Sequence, residues 1–407
     1  MKSYPLLMSI LLLIVIGHSP DRGGRKVSPD DEQKRRAHEL AHKFIIVDTH
    51  IDVPYRLSKK MEDISVKTEG GDFDYPRAKE GGLNVPFMSI FVSAATDQKG
   101  IAKQSADKLI DMVEEIASDW PDKFALATSV ADVKRQFAEG KISLPMGMEN
   151  GAPIEGKLEN LEYFFGRGIR YLTLTHSKDN HICDSSYDST RTWSGLSPFG
   201  RKVVEEMNRL GIMIDVSHIS DEAFYQVMDL SEAPAIASHS SCRYFTPGWE
   251  RNMDDNMIRL LAKNGGVIQI NFGSSFVNED FRKASDAIWK YLAAHNLSWN
   301  DDAAQEYIKT YRKEHSVDYA DILDVIRNIE HVVQLVGVDY VGLGSDFDGV
   351  GDSLPHGLKD VSYYPNLIFE LLRRGYSEED IEKICSGNVL RVWSNVETIA
   401  RKLQSID

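Results

Sequence analysis

Ser197-Pro198-Phe199-Gly200-Arg201-Lys202-Val203-Val204-Glu205-Glu206-Met207-Asn208-Arg209-Leu210, followed three residues on by Met213-Ile214-Asp215-Val216, decides how the chain folds. Ser197 and Pro198 read as an N-cap and a first-turn proline, and the apolar residues up to Leu210 recur at helical spacing. The short β-branched run after them reads as a strand. The same alternation extends in both directions. Strands are expected at Phe44 to Val47, Asn84 to Val92, Ile142 to Met148, Arg170 to Leu174, Met213 to Val216, Ala235 to Ser238, Gly266 to Ile270 and Tyr340 to Gly344. Helical segments such as Gln104 to Ala117 lie between them. Strands alternating with crossover helices make a parallel sheet, so the expected class is α/β. No Pro/Gly/Ser-rich linker divides the middle of the chain, and eight units fit one closed (β/α)₈ TIM barrel better than two open sheets.

The 407 residues are 42% hydrophobic and 27% charged, with a net charge of -15. That is the usage of a soluble globular protein, and it argues against nucleic acid, which requires clustered Lys and Arg. Met1-Lys2-Ser3 and the apolar run from Leu6 to Ile16, interrupted only by Ser9, have the form of a signal peptide. The expected organisation is a signal peptide over 1–19, a linker and helix over 20–43, and one barrel domain over 44–407 with an insertion at about 278–317. The insertion follows the seventh strand, which places it at the C-terminal rim, where it can act as a lid. Export is expected, to a periplasm or outside the cell, with membrane anchoring if the signal is not cleaved. Cys183, Cys242 and Cys385 allow at most one internal disulfide and form no C-x-x-C pair, so a cysteine zinc site has no support.

The ionisable residues fall at corresponding places: His50 and Asp52 after the first strand, Glu149 at the end of the third, His176 after the fourth, His218 after the fifth, His239 after the sixth and Asp346 after the eighth. In a barrel these C-terminal ends converge on one mouth. His50 and Asp52, at i and i+2, face one side of an extended strand end. Imidazoles and carboxylates are zinc ligands, so His50, Asp52 and Glu149 are assigned to one metal, and Glu149, His218 and His239 to a second. One such residue alone is more often structural; the set is not. Two ions about 3.5–4 Å apart hold a bridging hydroxide at neutral pH and polarise a carbonyl. Asp346 is then the candidate general acid/base, and Asp348 the holder of the turn with Gly349. His176 is left to contact the substrate carbonyl or oxyanion. Arg251 is either a clamp for a substrate carboxylate or one half of a surface salt bridge. His38, His42, His295, His315 and His331 lie in helical stretches and read as solvated; His181 and His356 lie on loops.

Asp48-Thr49-His50-Ile51-Asp52, Gly147-Met148-Glu149-Asn150-Gly151, Arg170 to His176, Gly195 to Gly200, Ile214 to His218, Ser238 to Ser241, Arg251-Asn252 and Gly344 to Gly349 occur in this order. At these segments the chain resembles the membrane dipeptidase, or renal dipeptidase, family of zinc peptidases. The resemblance covers roughly Phe44 to Leu403. It implies a barrel of the amidohydrolase type with two Zn²⁺ ions held at His50, Asp52, Glu149, His218 and His239, with Glu149 and a hydroxide bridging. It further implies substrate contact at His176, carboxylate binding at Arg251 and proton transfer at Asp346. Many amidohydrolases bridge their metals with a carboxylated lysine and begin with His-x-His; His50-x-Asp52 with Glu149 points instead to the dipeptidase branch. Gly273 stands after Asn271-Phe272 where some relatives carry an aromatic residue. An N-terminal signal without a C-terminal apolar tail looks more like a bacterial periplasmic protein than an anchored animal one.

The expected activity is hydrolysis of dipeptides with a free carboxyl end, including those ending in a D-residue. Expected partners are a small dipeptide, no nucleic acid, no spanning segment after signal cleavage and, as one option for assembly, a second copy of the chain. Two rivals stand beside it. A dimetal amidohydrolase for N-acyl amino acids or lactones keeps every ligand and Asp346 without calling on Arg251. A metal-stabilised, non-catalytic binding protein has no use for Asp346 or His176.

Overall fold

A computed structural model describes residues 28–299 and 301–406. The expected signal peptide lies outside the described residues, as does the linker up to residue 27. The first helix, Pro29–Lys43, is capped by Ser28, whose hydroxyl accepts from the Asp31 amide.

Eight parallel strands follow one another around a nearly closed barrel in chain order. They are β1 (Val47–Ile51), β2 (Val85–Phe91), β3 (Met146–Glu149), β4 (Ile169–Thr173), β5 (Met213–Asp215), β6 (Ile236–Ala237), β7 (Val267–Ile270) and β8 (Val341–Leu343). Between β8 and β1 the ring closes through the residues that follow them: the Asp346 amide donates to the His50 carbonyl (3.1 Å) and the Asp52 amide to the Phe347 carbonyl (2.9 Å). The end opposite the mouth is filled by apolar side chains, among them Val47, Phe87, Tyr171 and Met213, packed on Trp393 of the helix Asn388–Gln404. The helix expected from Pro198 to Leu210 has those limits, and the Ser197 hydroxyl accepts from the Gly200 amide.

Two strands differ from expectation. The first begins at Val47 rather than ending there, because Asp48, Thr49 and His50, polar enough to read as a loop, are all buried and bonded. The third splits at Pro145: Ile142–Leu144 pairs with Phe124–Leu126 outside the barrel, and Met146–Glu149 enters it. A residue without an N–H marks the break. The three cysteines are free and buried, so the allowed disulfide is not formed. No helix of the described residues is long and apolar enough to cross a membrane.

The insertion after β7 is helical, with Glu279–Ala294 and Asp302–Glu314 packed through Ile288, Leu292, Ala304 and Ile308.

Candidate metal centre

Residues as far apart as His50 and Asp346 meet at the C-terminal mouth of the barrel, around Glu149. The Glu149 carboxylate is divided between two sets of partners. Its Oε1 lies 3.1 Å from His218 Nε2 and 3.3 Å from His239 Nε2, while Oε2 lies 3.5 Å from His50 Nε2. Asp52 Oδ2 is 3.5 Å from the same His50 nitrogen. His50, Asp52 and Asp346 form a further group at ligand spacing.

His50 and Asp52 meet for a reason other than strand alternation. The β1–β2 register shifts between Asp48 and Ile51, and Asp52 has left extended geometry at the start of the helix Val53–Lys59, with no cap bond from its carboxylate. Such irregularities re-aim side chains at barrel rims. His218 (φ 71°) and Asp346 (φ 65°) hold left-handed backbone, which costs non-glycine residues roughly 1–3 kcal/mol and clusters at functional sites.

The chemistry of the donor set fits cations. His218 Nε2 and His239 Nε2 are 2.8 Å apart, two imidazole nitrogens aimed at one carboxylate oxygen. His50 Nε2 and Asp52 Oδ1 are buried without a hydrogen-bond partner. Burial, reinforced by the positive charge of Arg251 and neighbouring rings, keeps His218 and His239 well below the ordinary imidazole range, so both present lone pairs. Burial opposes charge on Glu149, but the positive charge of His50 and His176 and the close approach of His218 and His239 outweigh it and hold the carboxyl well below its usual range. Burial likewise opposes charge on His50, yet Tyr171, Glu149 and Asp52 hold it well above the imidazole range, so a cation bound there must displace a proton.

Behind these residues stand supports that sequence reasoning missed. The Tyr171 hydroxyl bonds His50 Nδ1 at 2.8 Å, and Ser238 Oγ, 2.7 Å from His239 Nδ1, donates to Asp215 at 2.6 Å. Partners of this kind fix the tautomer and direction of ligating histidines. Tyr171 crosses β3 at Gly147, where a Cβ would lie 1.9 Å from the ring. A glycine within a strand two residues before an acid was the available signal. Asn271 donates to Asp346 Oδ2 at 2.8 Å. Gly349 presses on Asp346 Oδ1 and Asp52 Oδ2, leaving only 2.1 and 2.2 Å for a Cβ. Asp348 faces away, accepting from Arg56 and the Asp72 amide, as a turn holder would.

Asp346 is buried beside Asp52 and Glu149; burial first, then those two charges, raise its carboxyl to about 7. His176 Nε2 is 3.7 Å from Glu149 Oε1 and shares a ligand-spaced group with His218. Exposure separates it from the other rings: its side chain is 23% exposed, against 0% for His50, 6% for His218 and 1% for His239. It therefore faces the cleft. Arg251 is 2% exposed, which removes the surface salt bridge as its reading. Its guanidinium donates to Ser240 Oγ (2.7 Å) and the His239 carbonyl (2.8 Å) and touches His218 Nε2 (3.0 Å), while its Nε has no partner. Among the described residues no carboxylate pairs with it. A buried cation in that state calls for an anion from outside.

Away from the mouth, His331 is not solvated: it stacks on Tyr244 and bonds Asp255. His356 is exposed and bonds Asp318, and the His181 ring lies against Phe199.

A family profile described as membrane dipeptidase, peptidase family M19, matches residues 34–407. An uncharacterised dipeptidase of Schizosaccharomyces pombe is 32% identical over 98% of this chain and 91% of its own length. The crystal structure of the probable dipeptidase PvdM from Pseudomonas aeruginosa superposes with a TM-score of 0.78 at 28% identity, covering 91% of this chain and 99% of that one. A metallopeptidase from Rhodobacter sphaeroides, bound to a phosphinate mimic of the dipeptide L-Ala-D-Ala, superposes with a TM-score of 0.71 at 26% identity, covering 87% and 99%.

Proposed function

The chain belongs to the membrane dipeptidase family, peptidase family M19, and from that premise we propose that it hydrolyses the peptide bond of small dipeptides with two zinc ions. The observation that carries this is the divided Glu149 carboxylate, one oxygen toward His50 and the other toward His218 and His239. His50, Asp52 and Glu149 would hold one ion, and Glu149, His218 and His239 the other; nitrogen and oxygen donors suit zinc. When bound, the pair polarises the scissile carbonyl and makes hydroxide available at neutral pH.

The remaining work falls to side chains of this chain. Arg251 receives the substrate carboxylate and so fixes which bond lies at the centre. His176, facing the cleft, donates to the carbonyl oxygen as negative charge builds on it. Asp346 accepts a proton from the attacking water and passes it to the leaving nitrogen, completing conversion of amide and water to carboxylate and amine. Its Oδ2 accepts from Asn271 at 2.8 Å, which orients the carboxyl at the cleft for that transfer.

An N-acyl amino acid shares the carboxylate that Arg251 would receive, so only turnover separates that reading from a dipeptide. Acceptance of a D-residue at the carboxyl end is part of the proposal, supported by the L-Ala-D-Ala mimic held by the Rhodobacter sphaeroides relative. The test is turnover by purified protein, with and without chelator, of L-L and L-D dipeptides, N-acyl amino acids and lactones, alongside metal analysis. Chelator-sensitive release of free amino acids from dipeptides is expected. Turnover of acyl amino acids or lactones alone ends the dipeptidase reading, and two bound zinc ions with no turnover would favour a binding protein. Export is proposed on the run Leu6 to Ile16, to be checked by cell fractionation and N-terminal sequencing.

A further inference from the structure

The cleft at the metal centre, about 440 Å³, has a second cavity of about 420 Å³ beside it. Tyr187, Phe276, Gly349 and Val350 line both, so the two adjoin across these four residues. The insertion builds the far wall: Phe281, Arg282 and Trp289 from its first helix, Trp299 after it, and Arg312 from its second. Trp249 and Phe276 stand opposite, 5.0 Å apart between ring centroids.

Three features bear on what this space takes. First, the wall is aromatic, and Trp289, 53% exposed, lies 4.9 Å from Trp299 with the rings inclined by 32°. Large apolar rings left open to water beside a cleft mark a contact surface for a ligand. Second, the charges balance. Arg282 pairs with Asp286 and Arg312 with Asp352, all four lining the cavity, so it offers no net attraction to an anion. Both guanidiniums lie over rings, Arg282 over Trp249 and Arg312 over Phe281, and present flat surfaces. Third, the entrance is on the carboxylate side: Phe276, shared by both spaces, packs 5.0 Å from the Arg251 guanidinium.

We propose that this cavity is a specificity subsite for a large aromatic side chain on the carboxyl-terminal residue of the substrate. The assignment rests on the dipeptidase reading and on Arg251 taking the carboxylate. The balanced ion pairs and ring surfaces accept a planar apolar group, and the insertion supplies the selectivity that the metal centre does not.

Kinetics of the zinc-loaded full chain on L-Ala-L-Ala, L-Ala-L-Trp and L-Trp-L-Ala test it. Wild type should prefer Ala-Trp over Ala-Ala by about tenfold or more in kcat/KM, and Trp289→Ala and Trp299→Ala should each remove about tenfold from Ala-Trp, mainly through KM. Both variants should leave Ala-Ala and Trp-Ala within about twofold, with Trp289→Phe restoring most of the loss. Trp289 is largely exposed, so its replacement does not disturb the core. Equal losses on all three substrates, or a preference confined to Trp-Ala, overturn the subsite. Hydrolysis of Ala-Ala without preference for Ala-Trp overturns the subsite alone, whereas hydrolysis of none of the three overturns the dipeptidase reading with it.

Discussion

Replacing Asp346 by Asn separates the proton on that side chain from its shape. The asparagine carbonyl can accept from Asn271 Nδ2 as the carboxylate does at 2.8 Å, and the backbone bond from residue 346 to His50 does not involve the side chain. What is lost is the capacity to take and return a proton, typically worth ~10²–10⁴ in rate. In the zinc-loaded enzyme kcat should fall by about that factor while both ions stay bound. The metal-free protein gives an independent reading. There Asp346, buried beside Asp52 and Glu149, has its carboxyl raised from 3.8 to about 7. A shift of about three units disfavours the ionised folded state by roughly 4 kcal/mol. Because the folded value lies above the unfolded one, this penalty is absent below 3.8, grows as pH rises past that value and is complete above about 7. Metal-free Asp346→Asn should therefore melt ~5 °C above metal-free wild type at alkaline pH, a difference that shrinks toward zero near pH 4. Thermal melts of chelator-treated protein across pH, with zinc content and kcat on the loaded form, check each part. A melting gain indifferent to pH, loss of zinc from the variant, or turnover close to wild type would refute the reasoning.

Tyr171→Phe keeps the ring across Gly147 but removes the hydroxyl from His50, and chelator titration should show zinc held ~10–100-fold less tightly. Arg251→Ala should raise KM far more than it lowers kcat, measured on a dipeptide and on the same dipeptide amidated at its carboxyl end, the amide being nearly indifferent to the change. Gly349→Ala forces a methyl to within about 2.1 Å of Asp346 Oδ1 and 2.2 Å of Asp52 Oδ2, so activity should be lost with the circular dichroism spectrum unchanged.

Much of this could be read from residue order. The β-branched runs located seven of the eight barrel strands, because buried parallel strands are continuous apolar segments. The imidazoles and acids stood out because they recur at the same end of those strands. Three things were hidden. Strand β1 was displaced because its second half is polar: Asp48 is buried yet accepts from the His50 and Ser345 amides and the Tyr364 hydroxyl, partners that only the folded ring supplies. The supports behind the histidines, Tyr171, Ser238 and Asp215, read as ordinary strand residues, since nothing local distinguishes a hydroxyl aimed at an imidazole from one aimed at a neighbouring turn. His331 lies in a helical stretch that reads as solvated, whereas Tyr244 covers it from a segment far away in sequence.

The joint between the first and last strands has a kinetic consequence. It is held by the amides of Asp52 and Asp346, the same two residues whose carboxyls stand at the cleft. On the proposed role of Asp346, brief gaping there would leave the molecule folded by every bulk measure and yet idle, that carboxyl turned out of reach of the substrate. Hydrogen exchange at those two amides would report that opening, and substrate that draws the pair together should slow it.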